Sequence, residues 1–150
     1  MVKINVFDRK QAERYIPNES TIAIRCMSSQ RVIDDIWRIK KHRIQYNPLA
    51  GNYVGILECV FDDVDPTKDR DVKGVSLFNV DIAERIVDFV EDNISKFEEI
   101  MIHCDQGLSR SAAVAAALGD FYDFEYPQYI RGDMNVFVNY TLQEALARTF

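Results

Sequence analysis

His103-Cys104-Asp105-Gln106-Gly107-Leu108-Ser109-Arg110-Ser111 is the stretch from which the rest of the chain is read. It sets a thiol, Cys104, ahead of a guanidinium, Arg110. The apolar β-type run Ile100-Met101-Ile102 precedes it and the alanine-rich run Ala112 to Leu118 follows. Strand, short loop and helix start in that order form an oxyanion site, because the first amides of a helix have no intrahelical partners and point outward. The helix dipole adds partial positive charge there, favouring a bound anion and a thiolate. Arg110 offers a planar fork for two phosphate oxygens. Gly107 permits positive φ and a close backbone approach to a ligand. Ser111 places a hydroxyl beside the sulfur, able to steady the thiolate when it leaves. The reading is a phosphate cradle with a nucleophile at its base.

Working outward, Lys3 to Phe7 alternates like a strand and Arg9 to Tyr15 reads as a helix stopping before Pro17. Thr21 to Cys26 is β-rich, Arg31 to Lys41 is amphipathic, and turn signals surround Asn47-Pro48. Tyr53 to Phe61 is the next strand, and residues 62–78 form an acidic loop. Val80 to Val90 carries Ile82, Ile86, Phe89 and Val90 at helical spacing. Strand 99–103, a helix from Arg110 to Tyr122 and a last helix within 134–148 complete the chain. Alternating strands and helices imply an α/β fold with a central, mainly parallel sheet flanked by helices on both faces. Ligands bind beyond the carboxyl ends of such strands, where Cys104 stands.

The 150 residues suit one domain, 1–150, with one buried core. Composition is that of a globular protein, 47% hydrophobic and 28% charged, and no repeat or linker divides it. No apolar run reaches bilayer-spanning length and the first residues lack a signal-peptide core. Three irregularly placed cysteines make no disulfide framework, so a reducing cytoplasm is expected. A net charge of −6 and the absence of a basic stripe argue against nucleic acid. The densest cationic stretch, Arg38 to Arg43, reads as a solvated helix end. Cys26 and Cys59 lie in apolar strand-like runs and read as packing residues. No His/Cys/Asp cluster has metal-ligand spacing, so neither metal nor cofactor is expected.

His103-Cys104-x-x-Gly107-x-x-Arg110-Ser111 resembles the signature of cysteine-dependent protein tyrosine phosphatases, and Gly107 to Ser111 resembles their dual-specificity branch. The order of elements over residues 50–150 fits that branch, and the first 50 residues are compatible with it. Asn135-Val136-Phe137-Val138 resembles an Asn-containing helix start of some small bacterial and phage members. The resemblance implies a protein tyrosine phosphatase-like fold and hydrolysis of phosphotyrosine, with phosphoserine and phosphothreonine tolerated in a shallow pocket. It implies a cysteinyl-phosphate intermediate on Cys104. Arg110 and the amides of Asp105, Gln106, Gly107, Leu108 and Ser109 would bind phosphate, and Ser111 would help the sulfur depart. His103 would orient the loop from the other face, since neighbouring strand residues point to opposite sides.

The leaving oxygen needs a proton from a carboxylic acid on another loop, and the resemblance implies an aspartate on the loop after the preceding strand. The Trp-Pro-Asp triplet of relatives is missing, and Asp62, Asp63, Asp65, Asp69 and Asp71 all qualify. The distance from acid to cysteine usual in dual-specificity relatives favours the later acids, and the strand end favours the Asp62-Asp63 pair. Asp63 is preferred because relatives also show a Phe-Asp-Asp stretch there. Asp105 and the lack of lysine in the cradle weigh against polyphosphorylated inositol substrates. The expected partners are a phosphorylated protein or a small aryl phosphate, met by a monomer, without membrane or nucleic acid. Alternatives are a phosphate-binding pseudophosphatase, an arsenate reductase or sulfurtransferase, and an RNA 5′-triphosphatase. The reductase needs a resolving thiol and the triphosphatase more positive charge.

Overall fold

The computed structural model describes residues 1–29, 49–69 and 74–150. The helix expected over Arg31–Lys41, the basic stretch Arg38–Arg43, the turn at Asn47-Pro48 and Asp71 lie outside the described residues. The elements run β1 (Lys3–Phe7), α1 (Arg9–Arg14), β2 (Thr21–Met27), β3 (Gly55–Val60), α2 (Val80–Asp92), β4 (Glu99–His103), α3 (Arg110–Tyr122), a 3₁₀ turn (Gln128–Gly132) and α4 (Val136–Thr149). The four strands form one sheet in the order β1-β4-β2-β3, and every pairing is parallel.

Inner parallel strands are covered on both faces, so their sequences read as near-continuous apolar runs. Accordingly, all seven residues of β2 and all five of β4 are buried. Strand alternation sorts their side chains. Ile22, Ile24, Ile100 and Ile102 enter the main core with α2, α3 and α4, whereas Ala23 and Met101 face Ala12 of α1 on the opposite side. Helices thus lie on both faces, as the alternation of elements implied. The buried Glu99 on the α1 side takes hydrogen bonds from Tyr15, Asn5 and Thr21, which satisfies a carboxylate that would otherwise be costly there.

The interior position of α3 explains its composition. Ten consecutive residues, Arg110 to Gly119, are buried, and small alanines let the helix lie close to the sheet and to α4. Gly119 packs against the segment that follows α3, where a Cβ would enter the ring of Tyr126. On α2 the buried stripe is Ala83, Ile86, Val87 and Val90, with Ile82 and Phe89 at its edges. The strand expected over Tyr53–Phe61 is shorter as an element, although the Val54 and Phe61 amides still bond to Thr21 and Met27 of β2. The 3₁₀ turn and a parallel bridge between Lys3 and Glu125 had no periodic signature in sequence.

Candidate active site

Cys104 follows β4 directly and is 2% exposed. The loop behind it curls so that the Gly107 amide donates to Cys104 Sγ at 3.1 Å. Ser111 Oγ, in the first turn of α3, lies 3.1 Å from the same sulfur. The curl depends on Gly107, which has φ of +73°. A Cβ there would lie 2.8 Å from Phe7 C, Phe7 O and Asp8 N, so backbone packing and left-handed φ both require glycine. The chain after β1 is therefore a wall of the loop, and the Arg9 amide bonds the Asp105 carbonyl at 3.3 Å. The amides of Asp105, Gln106, Leu108 and Ser109 have no acceptor among the described residues.

Ser109 is the N-cap of α3, yet its side chain does not cap the helix. It turns outward and donates to Asp63 Oδ1 at 2.7 Å, leaving the first helix amides to a ligand. Arg110 is 5% exposed and doubly held: Nη1 donates to the Phe61 carbonyl at 2.8 Å, and Nη2 pairs with Asp105 at 3.0 Å. Its buried Nε has no hydrogen-bond partner. Asp63, Cys104, Asp105, Gln106, Ser109 and Arg110 line one open cleft of about 190 Å³. Leu108 projects from the loop, 54% exposed. The side chains of Asp105 and Ser109 thus take part in the site, where the sequence reading used mainly their amides.

The acidic loop separates its carboxylates by their bonds. Asp62 ties the loop together, accepting from the Ser29 amide and hydroxyl and from the Ser76 amide, while its own amide bonds the Ser76 carbonyl. Burial pushes its carboxyl up, but the Ser76 and Ser29 donors together outweigh this and hold it below the usual carboxylate range. Asp65 accepts from the Thr67 hydroxyl and amide, which lower it too, and Asp69 accepts from the Asp65 amide. Only Asp63 of these acids lines the cleft with Cys104. Its Oδ1 receives both Ser109 Oγ and Asn135 Nδ2, the latter at 2.9 Å. Asn135 caps α4 through Val138, reaches the Val64 carbonyl with Nδ2, and donates its own amide to the Ser109 carbonyl. The cradle, the acid loop and α4 therefore meet at one side chain.

His103 points to the opposite face from Cys104, as strand alternation required, and is fully buried. Its Nε2 meets Arg25 Nε at 2.8 Å and its Nδ1 lies 3.3 Å from the Cys104 carbonyl. Burial first, and the Arg25 charge second, push its pKa down to about 4. The imidazole is neutral at physiological pH and is not among the residues lining the Cys104 cleft. Cys26 and Cys59 are fully buried register partners on β2 and β3. Burial drives Cys26 well above the ordinary thiol range and Cys59 up to about 11.

The sequence reading singles out Cys104, Arg110, Ser111 and, by preference, Asp63, with Asp62, Asp65, Asp69 and Asp71 as rivals; the cleft holds Cys104, Arg110 and Asp63, with Ser111 beside the sulfur. That reading gave no role to Arg25, hidden in an apolar strand, and none to Asn135 beyond a helix start. An N-cap asparagine is legible in sequence, but its reach to Asp63, 72 residues away, is not. Among the described residues no group of three or more His, Cys, Asp or Glu side chains is arranged to hold a metal, and no helix is long and apolar enough to cross a membrane. Compared with known proteins, the chain matches no family model, no curated protein and no solved structure.

Proposed function

We propose that the chain is a phosphomonoester hydrolase of the cysteine-dependent protein tyrosine phosphatase type, acting on phosphotyrosine and, through its open cleft, on phosphoserine and phosphothreonine. One observation carries the reading. A thiol receiving the Gly107 amide and lying beside the Ser111 hydroxyl shares a cleft with a buried arginine and with Asp63 from a distant loop. That is the set needed for in-line phosphoryl transfer to sulfur and protonation of the leaving oxygen.

In the first step the Cys104 thiolate forms a bond to phosphorus as the phosphorus–oxygen ester bond breaks. Arg110 and the loop amides hold the non-bridging oxygens. Asp63 gives its proton to the departing oxygen, and because Oδ1 already accepts two hydrogen bonds, Oδ2 is the atom that carries it. In the second step Asp63 takes a proton from water, which attacks phosphorus and expels the sulfur. Ser111 then donates to the leaving thiolate. The buried, high-pKa thiols of Cys26 and Cys59 weigh against the arsenate reductase alternative, which needs an accessible second thiol.

Hydrolysis of an aryl phosphate near pH 6 without added metal tests the proposal, with wild type set against Cys104→Ser and Arg110→Ala. The expected result is turnover blocked by vanadate and lost in both variants. A wild type that binds vanadate yet releases no phosphate would make the cleft a recognition site instead.

A further inference from the structure

Arg25 is a fully buried arginine in the middle of the sheet. It lies on β2 between β3 and β4, is 0% exposed, and has one buried nitrogen, Nη2, with no hydrogen-bond partner. Its Nη1 reaches Glu58 at 3.3 Å, a carboxylate about half exposed and thus a weak counter-charge. An apolar side chain would fill this position without the desolvation cost. The cost is offset by what Nε does. Arg25 is the register partner of His103, and its Nε meets His103 Nε2 at 2.8 Å.

Arginine is always protonated, so Nε is a donor and Nε2 must present its lone pair. The ring proton therefore sits on Nδ1, 3.3 Å from the Cys104 carbonyl, and is donated to it. The other tautomer, or a protonated ring, would set N–H against N–H. Of the charged groups facing the ring, Arg25 from β2 and Arg9 from α1 oppose a positive imidazole and Asp105 favours it, as does the Cys104 carbonyl; burial and the two arginines outweigh them. In a planar trans peptide the carbonyl and the following amide point in opposite directions. Holding the Cys104 carbonyl on the α1 side thus turns the Asp105 N–H toward the cleft.

We propose that Arg25 is a positioning residue for the anion-binding loop, fixing His103 as its Nδ1–H tautomer so that the Cys104–Asp105 peptide presents its amide to the phosphate. This rests on the phosphatase reading of the same site. Long-range ¹⁵N NMR of His103 in the intact wild-type protein is the first test. A neutral ring protonated on Nδ1 from pH 5 to pH 8 is expected, and an Nε2–H ring, or protonation near the ordinary histidine value, overturns the proposal. In Arg25→Lys and Arg25→Met, checked for folding by circular dichroism, mixed tautomers and vanadate affinity at least about tenfold weaker are expected. A folded variant with unchanged tautomer and unchanged affinity reduces Arg25 to packing. Should a variant not fold, the wild-type spectrum alone decides. If wild type binds no vanadate, the phosphatase reading and the anion-loop role fail together, whereas a failure confined to the variants removes only the role of Arg25.

Discussion

Replacing Gly107 by alanine is the perturbation whose cost the structure defines most fully. Two effects add. A non-glycine residue at φ of +73° costs roughly 1–2 kcal/mol. The new Cβ would also lie 2.8 Å from three backbone atoms of Phe7 and Asp8, where ordinary contact begins at 3.4 Å. Backbone at the end of a paired strand cannot rotate away as a side chain does, so the loop itself must retreat by about half an ångström. Together these predict about 2–4 kcal/mol of destabilisation, or a melting temperature lower by about 5–15 °C. Retreat also pulls the Gly107 amide from Cys104 Sγ, and vanadate affinity should fall roughly ten- to a hundredfold. Gly74 is the internal control. It shares φ of +73°, but a Cβ there meets nothing within 4 Å among the described residues, so Gly74→Ala carries the strain without the crowding seen at Gly107. Thermal melts and vanadate titrations of both variants decide the matter. Should Gly107→Ala cost no more than Gly74→Ala, the argument from close backbone approach is refuted.

Asp63→Asn should lower kcat about a hundred- to a thousandfold for substrates with poor leaving groups and much less for activated aryl phosphates. Asp62→Asn should instead weaken the fold, and a steeper leaving-group dependence in that variant would transfer the acid role to Asp62. Ser111→Ala should slow breakdown of the cysteinyl-phosphate about ten- to a hundredfold, giving a burst of product in rapid-mixing experiments; a burst-free trace with unaltered kcat contradicts the role given to its hydroxyl. His103 has a folded pKa of about 4, below its unfolded value of 6.5, so between those pH values the unfolded chain binds more protons. Stability should therefore rise with pH across that window, by up to about 3 kcal/mol from this one group. Denaturation of wild type and His103→Asn at pH 4.5 and pH 7 measures it, and equal pH slopes in the two would contradict the buried neutral ring.

Much of this molecule was legible as local chemistry. A strand–loop–helix order around Cys104 is written in adjacent residues, so the cradle, Gly107 and the two helix-start residues Arg110 and Ser111 could be read directly. Strand alternation was enough to send His103 to the opposite face. The β-rich runs at 21–26 and 99–103 were legible as strands, but their inner places in the sheet came only with the order β1-β4-β2-β3. What one sequence could not decide was which of several acids shares the cleft with the sulfur. Asp62 and Asp63 are neighbours with the same charge, and only the closure of the loop on Ser29 and Ser76 turns one inward to staple it and leaves the other in the cleft. Arg25 shows the same limit from the other side. It reads as a stray cation in an apolar strand until β4 inserts between β1 and β2 and brings His103 into register with it. The physical reason is range. Capping, turn geometry and helix-terminus chemistry act over a few residues and are encoded in order, whereas a hydrogen bond across 72 or 78 residues exists only once packing has chosen the strand order and register.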